Sequence, residues 1–259
     1  MILRRVIAHF RKQEWTAIAL DFLIVVIGVF VGLQVNNWNE GLRTKADERA
    51  VLSRLQLESE EVVKFWSRDV QVFGVAIENQ RLLLEALKAG AIPPEQRAAI
   101  DDALLRISFY PAVTAPHSVY DEVIASGGLR LISDFRARQS VSAYAAEADF
   151  VDGQLDQFRG ATQQVYLKAL AGKVFSAYAP ERASLRRYEY DFAALAADRQ
   201  FVSDIVDLAR DQRQFQSYRE RTLKAAVEMC EAVSAAVSQT CDIARPDPEE
   251  IIDREGVNP

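Results

Sequence analysis

Glycine and proline are scarce, at 11 and 8 in 259 residues, and histidine and cysteine occur only twice each. All-β sandwiches consume both turn residues freely, so this shortage argues against one. Residues 44–92 and 117–179 hold no proline at all. Two histidines and two cysteines leave almost no material for a metal site, and no cofactor is expected. Basic charge is also short: 31 Lys and Arg against 37 Asp and Glu give a net charge of -6, without the basic footprint of a nucleic-acid binder. No Gly-rich phosphate loop, H-E-x-x-H, C-x-x-C or G-x-S-x-G occurs, so no motif points to an enzyme. At 49% hydrophobic and 26% charged residues, the chain as a whole is neither disordered nor collagenous.

What is present in excess is one apolar run, WTAIALDFLIVVIGVFVGLQVNNW, from Trp15 to Trp38. Residues 16–38 are long enough to span a bilayer as a helix. Trp15 and Trp38 would stand roughly 34 Å apart along it, as interface anchors in the two aromatic belts. The polar string after Leu33 has no small-x-small cleavage pattern, which favours a retained signal anchor over a cleaved signal peptide. Arg4, Arg5, Arg11 and Lys12 on the short N-terminal side keep residues 1–15 cytoplasmic, so residues 39–240 are expected as a periplasmic domain. The expected location is a bacterial inner membrane, crossed once. Within the span, Asp21, Val25, Gly28, Gly32 and Asn36 fall on one helical stripe suited to helix–helix packing, while Gln34 and Asn37 face a second side. Asp21 is the most unusual residue, because an acid within an apolar segment is costly unless interfacial or partnered.

Beyond the anchor, apolar residues recur at three and four, predicting an all-α bundle of long helices. Leu52, Leu55, Val62, Trp66, Val70, Phe73, Ile77, Leu84 and Leu87 read as a coiled-coil-like heptad stripe with Ser59 and Gln80 as polar interruptions. A second stripe, Phe65, Val72, Ala76 and Leu83, predicts packing on two sides. Gly90 and Pro93-Pro94 stop this helix, and Pro94-Glu95-Gln96 opens a short one to about Phe109. Tyr110 to Pro116 reads as an irregular crossing loop. Ser118 is placed to cap the helix SVYDEVIA, with Asp121 in the capping-box position and Ser126-Gly127-Gly128 ending it. Ser133 or Asp134 caps the next long helix, whose stripe is Val141, Tyr144, Ala148, Val151, Leu155, Phe158 and Val165, broken by Thr162. A last helix covers about 198–237, with Leu208, Phe215, Tyr218, Ala225, Met229 and Ala236 facing inward. Residues 241–259, with six acidic and two basic side chains and three prolines, read as a mobile tail.

Two stretches, IVVIGVFVGLQVNNWNE at Ile24–Glu40 and SVYDEVIASGGLRLISD at Ser118–Asp134, together resemble a family of uncharacterised bacterial single-pass membrane proteins. In that family the anchor ends in a Leu-Gln-x-Asn-Asn-Trp-Asn-Glu signature. The resemblance covers about residues 15–235 and implies membrane anchorage and an α-helical domain, with nothing catalytic. The family carries Glu where this chain has Asp21. The octet around Asp21 also resembles the acid-bearing helix of proton-driven stator proteins, over fewer than ten residues.

Other candidates are weak. His9 reads as interfacial or cytosolic, and His117 as a loop residue. Tyr188-Glu189-Tyr190-Asp191 reads as an ordinary helix surface. Cys230 and Cys241, placed in an oxidising compartment by the topology, are expected to form a disulfide, the alternative being two free thiols. Eleven residues of continuous helix would hold them roughly 16 Å apart, so a bridge requires the helix to end near Val237 or Ser238. The functional expectation is a non-enzymatic interaction or scaffold subunit of an inner-membrane complex, with the lipid bilayer and a homo-oligomer or larger membrane complex as partners. The alternatives are a periplasmic sensor module signalling through a partner and an ion-coupled subunit using Asp21.

Overall fold

The computed structural model describes residues 15–112, 114–180 and 185–243, with side chains from residue 20 onward except at 186. The basic segment before Trp15, His9 within it, and the tail from residue 244 lie outside the described residues. The chain is all-α apart from one hairpin. Helix α1 spans Trp15–Ala89 and is followed by a short 3-10 turn, Pro94–Gln96, and α2, Arg97–Arg106. Helix α3 is Ser118–Ala125, and α4 is Phe135–Leu170. Strands β1, Val174–Tyr178, and β2, Arg186–Tyr190, pair antiparallel with Val174 opposite Tyr190 and Tyr178 opposite Arg186. Helices α5, Phe192–Ala197, and α6, Arg199–Ala236, complete the chain.

By packing, the chain divides into two units, Met1–Ala50 and Val51–Pro259. Residues 39–50 thus group with the apolar stretch and not with the bundle. Residues 39–50 present only Leu42 as a large apolar side chain, and it is 52% exposed, so nothing there supports a core.

In the second unit α1, α4 and α6 form the bundle, with α6 antiparallel to the other two: Asp69 and Gln80 of α1 meet Arg219 and Gln212 of α6, and Phe150 and Phe158 of α4 meet Tyr218 and Phe215. Two apolar clusters fill it. One is built around Leu55, Val62, Trp66, Phe73, Val141, Tyr144, Val151, Phe215 and Met229, and the other around Leu83, Leu87, Ile100, Leu104, Phe201 and Ile205. Burying each large side chain contributes about 1.5–3 kcal/mol, so these two clusters hold the helices together.

Past Trp66 the seam of α1 takes Asp69, Ala76 and Leu83 in place of the expected Val70, Ile77 and Leu84, while Phe73, Gln80 and Leu87 stay in the expected register. Leu83 is fully buried, whereas Val70, Ile77 and Leu84 are half-buried. The seam is Leu52, Leu55, Ser59, Val62, Trp66, Asp69, Phe73, Ala76, Gln80, Leu83 and Leu87, alternating steps of three and four, with a carboxylate at one of the positions. In α6 the inward face likewise runs through Leu208, Gln212, Phe215, Arg219, Thr222, Ala226, Met229 and Val233, and Ala225 and Ala236 lie only half-buried beside it.

Other details depart from the sequence reading. Ser118 does not cap α3: the cap position is His117, and the Ser118 hydroxyl donates to Glu58. Asp121 pairs with His117 Nδ1 at 2.6 Å instead of closing a capping box. Tyr188 to Tyr190 belongs to β2 and Asp191 is the N-cap of α5, so this stretch is not a helix surface. Its alternation turns Tyr188 and Tyr190 toward the bundle, where their hydroxyls meet Tyr166 and Asp101. Asp134 caps α4 by accepting from Ala137 N at 2.9 Å, and Gly90 and Gly127 end α1 and α3 at φ +75° and +69°, conformations glycine adopts without steric cost.

Candidate functional site

Two regions of the molecule stand out: the uncovered apolar helix and the polar groups sealed inside the bundle. In α1 one stretch is long and apolar enough to cross a membrane, and none of its apolar window is buried. Phe22, Val25, Phe30 and Val35 are between 56% and 70% exposed. Asp21 is exposed on the same stripe as Val25, Gly28, Gly32 and Asn36. A Cβ added at Gly28 or Gly32 would meet nothing within 4 Å, so this stripe has no packing partner among the described residues. Asn36 turns to its own helix, its amide donating to Glu40 Oε1 at 2.8 Å one turn on. Two polar residues of the signature string are thereby linked locally. Gln34 and Asn37 are exposed on another side, and Trp38 is 71% exposed, as an interface anchor would be. Of Trp15 only the backbone is described.

The second recognised stretch, 118–134, is a docking element. The Glu58 carboxylate of α1 accepts from Val119 N at 2.7 Å and Tyr120 N at 2.9 Å, capping the N-terminus of α3 from a distant helix. Arg54 grips Glu122 with both terminal nitrogens. Val123 and Ile132 are buried beneath, and Gly128 lies so close to Val123 O that a Cβ would approach it to 3.2 Å. The string of small and polar residues is thus explained by close backbone approach and by a cap supplied from α1.

Inside the bundle, Arg219 is fully buried. Its Nη1 donates to both Asp69 oxygens at 2.8 and 2.7 Å, and its guanidinium lies 4.2 Å from the Phe73 ring and 4.8 Å from that of Phe215. Burial pushes its pKa below the ordinary value, with Asp69 opposing the shift. Desolvation likewise raises the Tyr110, Tyr144 and Tyr190 phenols, so they stay neutral. Tyr144 accepts from Trp66 Nε1 at 3.2 Å. Gln80 donates to Gln212, whose own amide donates to Arg106 O at 2.9 Å and Phe109 O at 3.2 Å. This amide pair lies between the two apolar clusters and pins the start of the crossing segment.

That segment is taut. From the level of Gln80 to that of Glu58 is roughly 33 Å along α1, and the dozen residues from Arg106 to Ser118 reach about 40 Å when fully extended. A helix, rising 1.5 Å per residue, could not cover the distance, in keeping with the aperiodic YPAVTAP sequence. Arg159 Nε holds Tyr110 O at 2.9 Å part-way along.

No family model, curated protein or solved structure matches the chain. Among the described residues, no group of His, Cys, Asp and Glu is arranged to hold a metal ion. The two cysteines are joined: α6 ends at Ala236, Ser238 adopts φ +61°, and the chain turns back so that the Cα atoms of Cys230 and Cys241 stand 5.6 Å apart. Cys241 packs against the first cluster, and Asp242 N donates to Glu60 at 3.1 Å. The segment expected as a tail from 241 therefore begins with residues held against the bundle.

Arg219, Gln212 and Glu58 were not among the residues singled out from the sequence. The signal for the first two was the unbroken three-four spacing of Leu208, Gln212, Phe215, Arg219, Thr222 and Ala226. Nothing local marks Glu58, whose partner lies 61 residues away.

Proposed function

We propose that this chain is a single-pass, membrane-anchored interaction subunit of an inner-membrane complex, non-enzymatic, with a cytoplasmic N-terminus and its helical bundle in the periplasm. The observation that carries the reading is the apolar stretch of α1, whose hydrophobic side chains have no cover among the described residues. Leaving such a surface in water is unfavourable by about 25 cal/mol per Å² of apolar area, and a bilayer removes that cost. The disulfide supports the periplasmic side, because structural bridges persist in oxidising compartments. The basic residues before Trp15 support the same orientation, and the family resemblance supports the anchorage. Arg219 pairs with Asp69, and Gln212 with Gln80 and the backbone of Arg106 and Phe109, in keeping with structural roles.

A reporter enzyme active only outside the cytoplasm, fused after Pro259, is expected to be active. Activity instead from a reporter that works only in the cytoplasm would overturn the orientation. Mild solubilisation of native membranes should then recover the chain with stoichiometric partners or as a defined self-assembly. Recovery as a lone monomer would overturn the subunit reading.

A further inference from the structure

Most of the second apolar stripe of α1 lines a cavity. Phe65, Val72 and Ala76 face this space of about 240 Å³, closed on its other side by Phe109, Pro111 and Ala112 of the crossing segment. Leu83, the remaining member of the stripe, is buried in the second cluster. The cavity follows from the tautness of that segment: an extended strand bearing a proline and an alanine cannot fill the space that a helix would.

Its walls are aromatic and its polar groups carry a positive excess. Phe65, Phe73 and Phe109 supply the rings, and Arg68, Asp69 and Arg106 the charges. Both Asp69 oxygens are committed to Arg219 behind it. Arg106 is held in place through its Nε on Asp102 Oδ1 at 2.7 Å. Its two terminal nitrogens make no hydrogen bond or ion pair among the described residues. A water molecule on these apolar walls would find few partners, whereas an anion carrying a flat apolar body satisfies both walls and charge.

We propose that this cavity binds a small aromatic monocarboxylate, its ring system lodged among Phe65, Phe73 and Phe109 and its carboxylate on the free fork of Arg106. A guanidinium presents paired N–H groups in the plane that a carboxylate accepts. The volume suits a ligand on the order of a dozen non-hydrogen atoms, just under the range of larger ligand pockets. The site belongs to the bundle alone and stands whether or not the apolar stretch crosses a bilayer.

The test uses the full chain in nanodiscs of zwitterionic lipid, with empty nanodiscs as reference and 2-naphthoate as a fluorescent probe. Saturable binding is expected, at least tenfold tighter than for neutral 2-methylnaphthalene or cationic 2-naphthylmethylamine. Arg106→Gln keeps a hydrogen bond to Asp102 and should erase the preference for the acid. Ala76→Leu fills the cavity and should weaken the acid and the neutral compound alike, with a helical circular-dichroism spectrum and a cooperative melt showing that the variant is folded. The proposal is overturned by a titration indistinguishable from empty nanodiscs, by equal affinity for the three probes, or by unchanged 2-naphthoate affinity in both variants.

Discussion

Arg219 has the most to lose from a change in its neighbours. A buried guanidinium stripped of its carboxylate is an uncompensated charge, so Asp69→Ala should destabilise the protein by about 3–5 kcal/mol. Replacing both partners with apolar residues of similar size, Asp69→Leu with Arg219→Met, should cost far less, because the desolvation penalty disappears together with the attraction. Denaturant unfolding of the two variants decides this: equal losses would mean that the pair is not what holds α6 to α1. The glycines of the apolar stretch present the opposite case. Since none of the described residues approaches Gly28 or Gly32, replacing both by Leu should leave unfolding of the bundle untouched and weaken self-association of the segment in a bilayer. Unchanged association would make them lipid-facing. At this scale the sequence was only half legible. Periodicity marked Trp66, Phe73 and Leu155 as core, but it passes over polar members of the same stripe. That is why Asp69 was displaced by Val70 and why Arg219 and Gln212 were overlooked within RDQRQFQSYRER.

Helix α3 is too short to be stable by itself, so its existence depends on what α1 provides. Glu58 satisfies two of its first backbone N–H groups and the Ser118 hydroxyl, from another helix rather than from the usual neighbouring side chain. Glu58→Ala should therefore cost about 1 kcal/mol and raise amide exchange selectively across 118–125. Uniform exchange changes along α1 would contradict the assignment. Long helices and their stops were readable because 30 or more residues of consistent period outweigh local ambiguity, and because Gly90, Gly127 and Asp134 terminate or cap by local chemistry. The β1–β2 hairpin was not readable. Its strands are five residues each, too short to establish alternation, and Tyr188 and Tyr190 are placed by partners on α4 and α2.

Across the whole molecule, the bridge between Cys230 and Cys241 closes a loop of about a dozen residues, which by loop-closure entropy contributes about 3 kcal/mol. Cys230→Ser or Cys241→Ser should lower stability by up to that amount, and the wild-type chain should lose the same on reduction. A reductant-insensitive melt would show that the turn at Ser238 holds the chain end unaided. The apolar stretch was legible from composition alone, since no bundle residue competes for it. Which surface of the bundle closes over which loop was not, because the crossing segment is set by the distance between two anchored ends. The Gln80–Gln212 pair has a mechanical consequence. With Asp69–Arg219 further along the same antiparallel seam, it acts as a pair of notches on a ruler. Sliding α1 past α6 by one turn, about 5.4 Å, would strand four sealed polar side chains, each at about 1–3 kcal/mol. Piston-like strokes are thereby closed to this bundle, and its long helices must tilt or turn as one body.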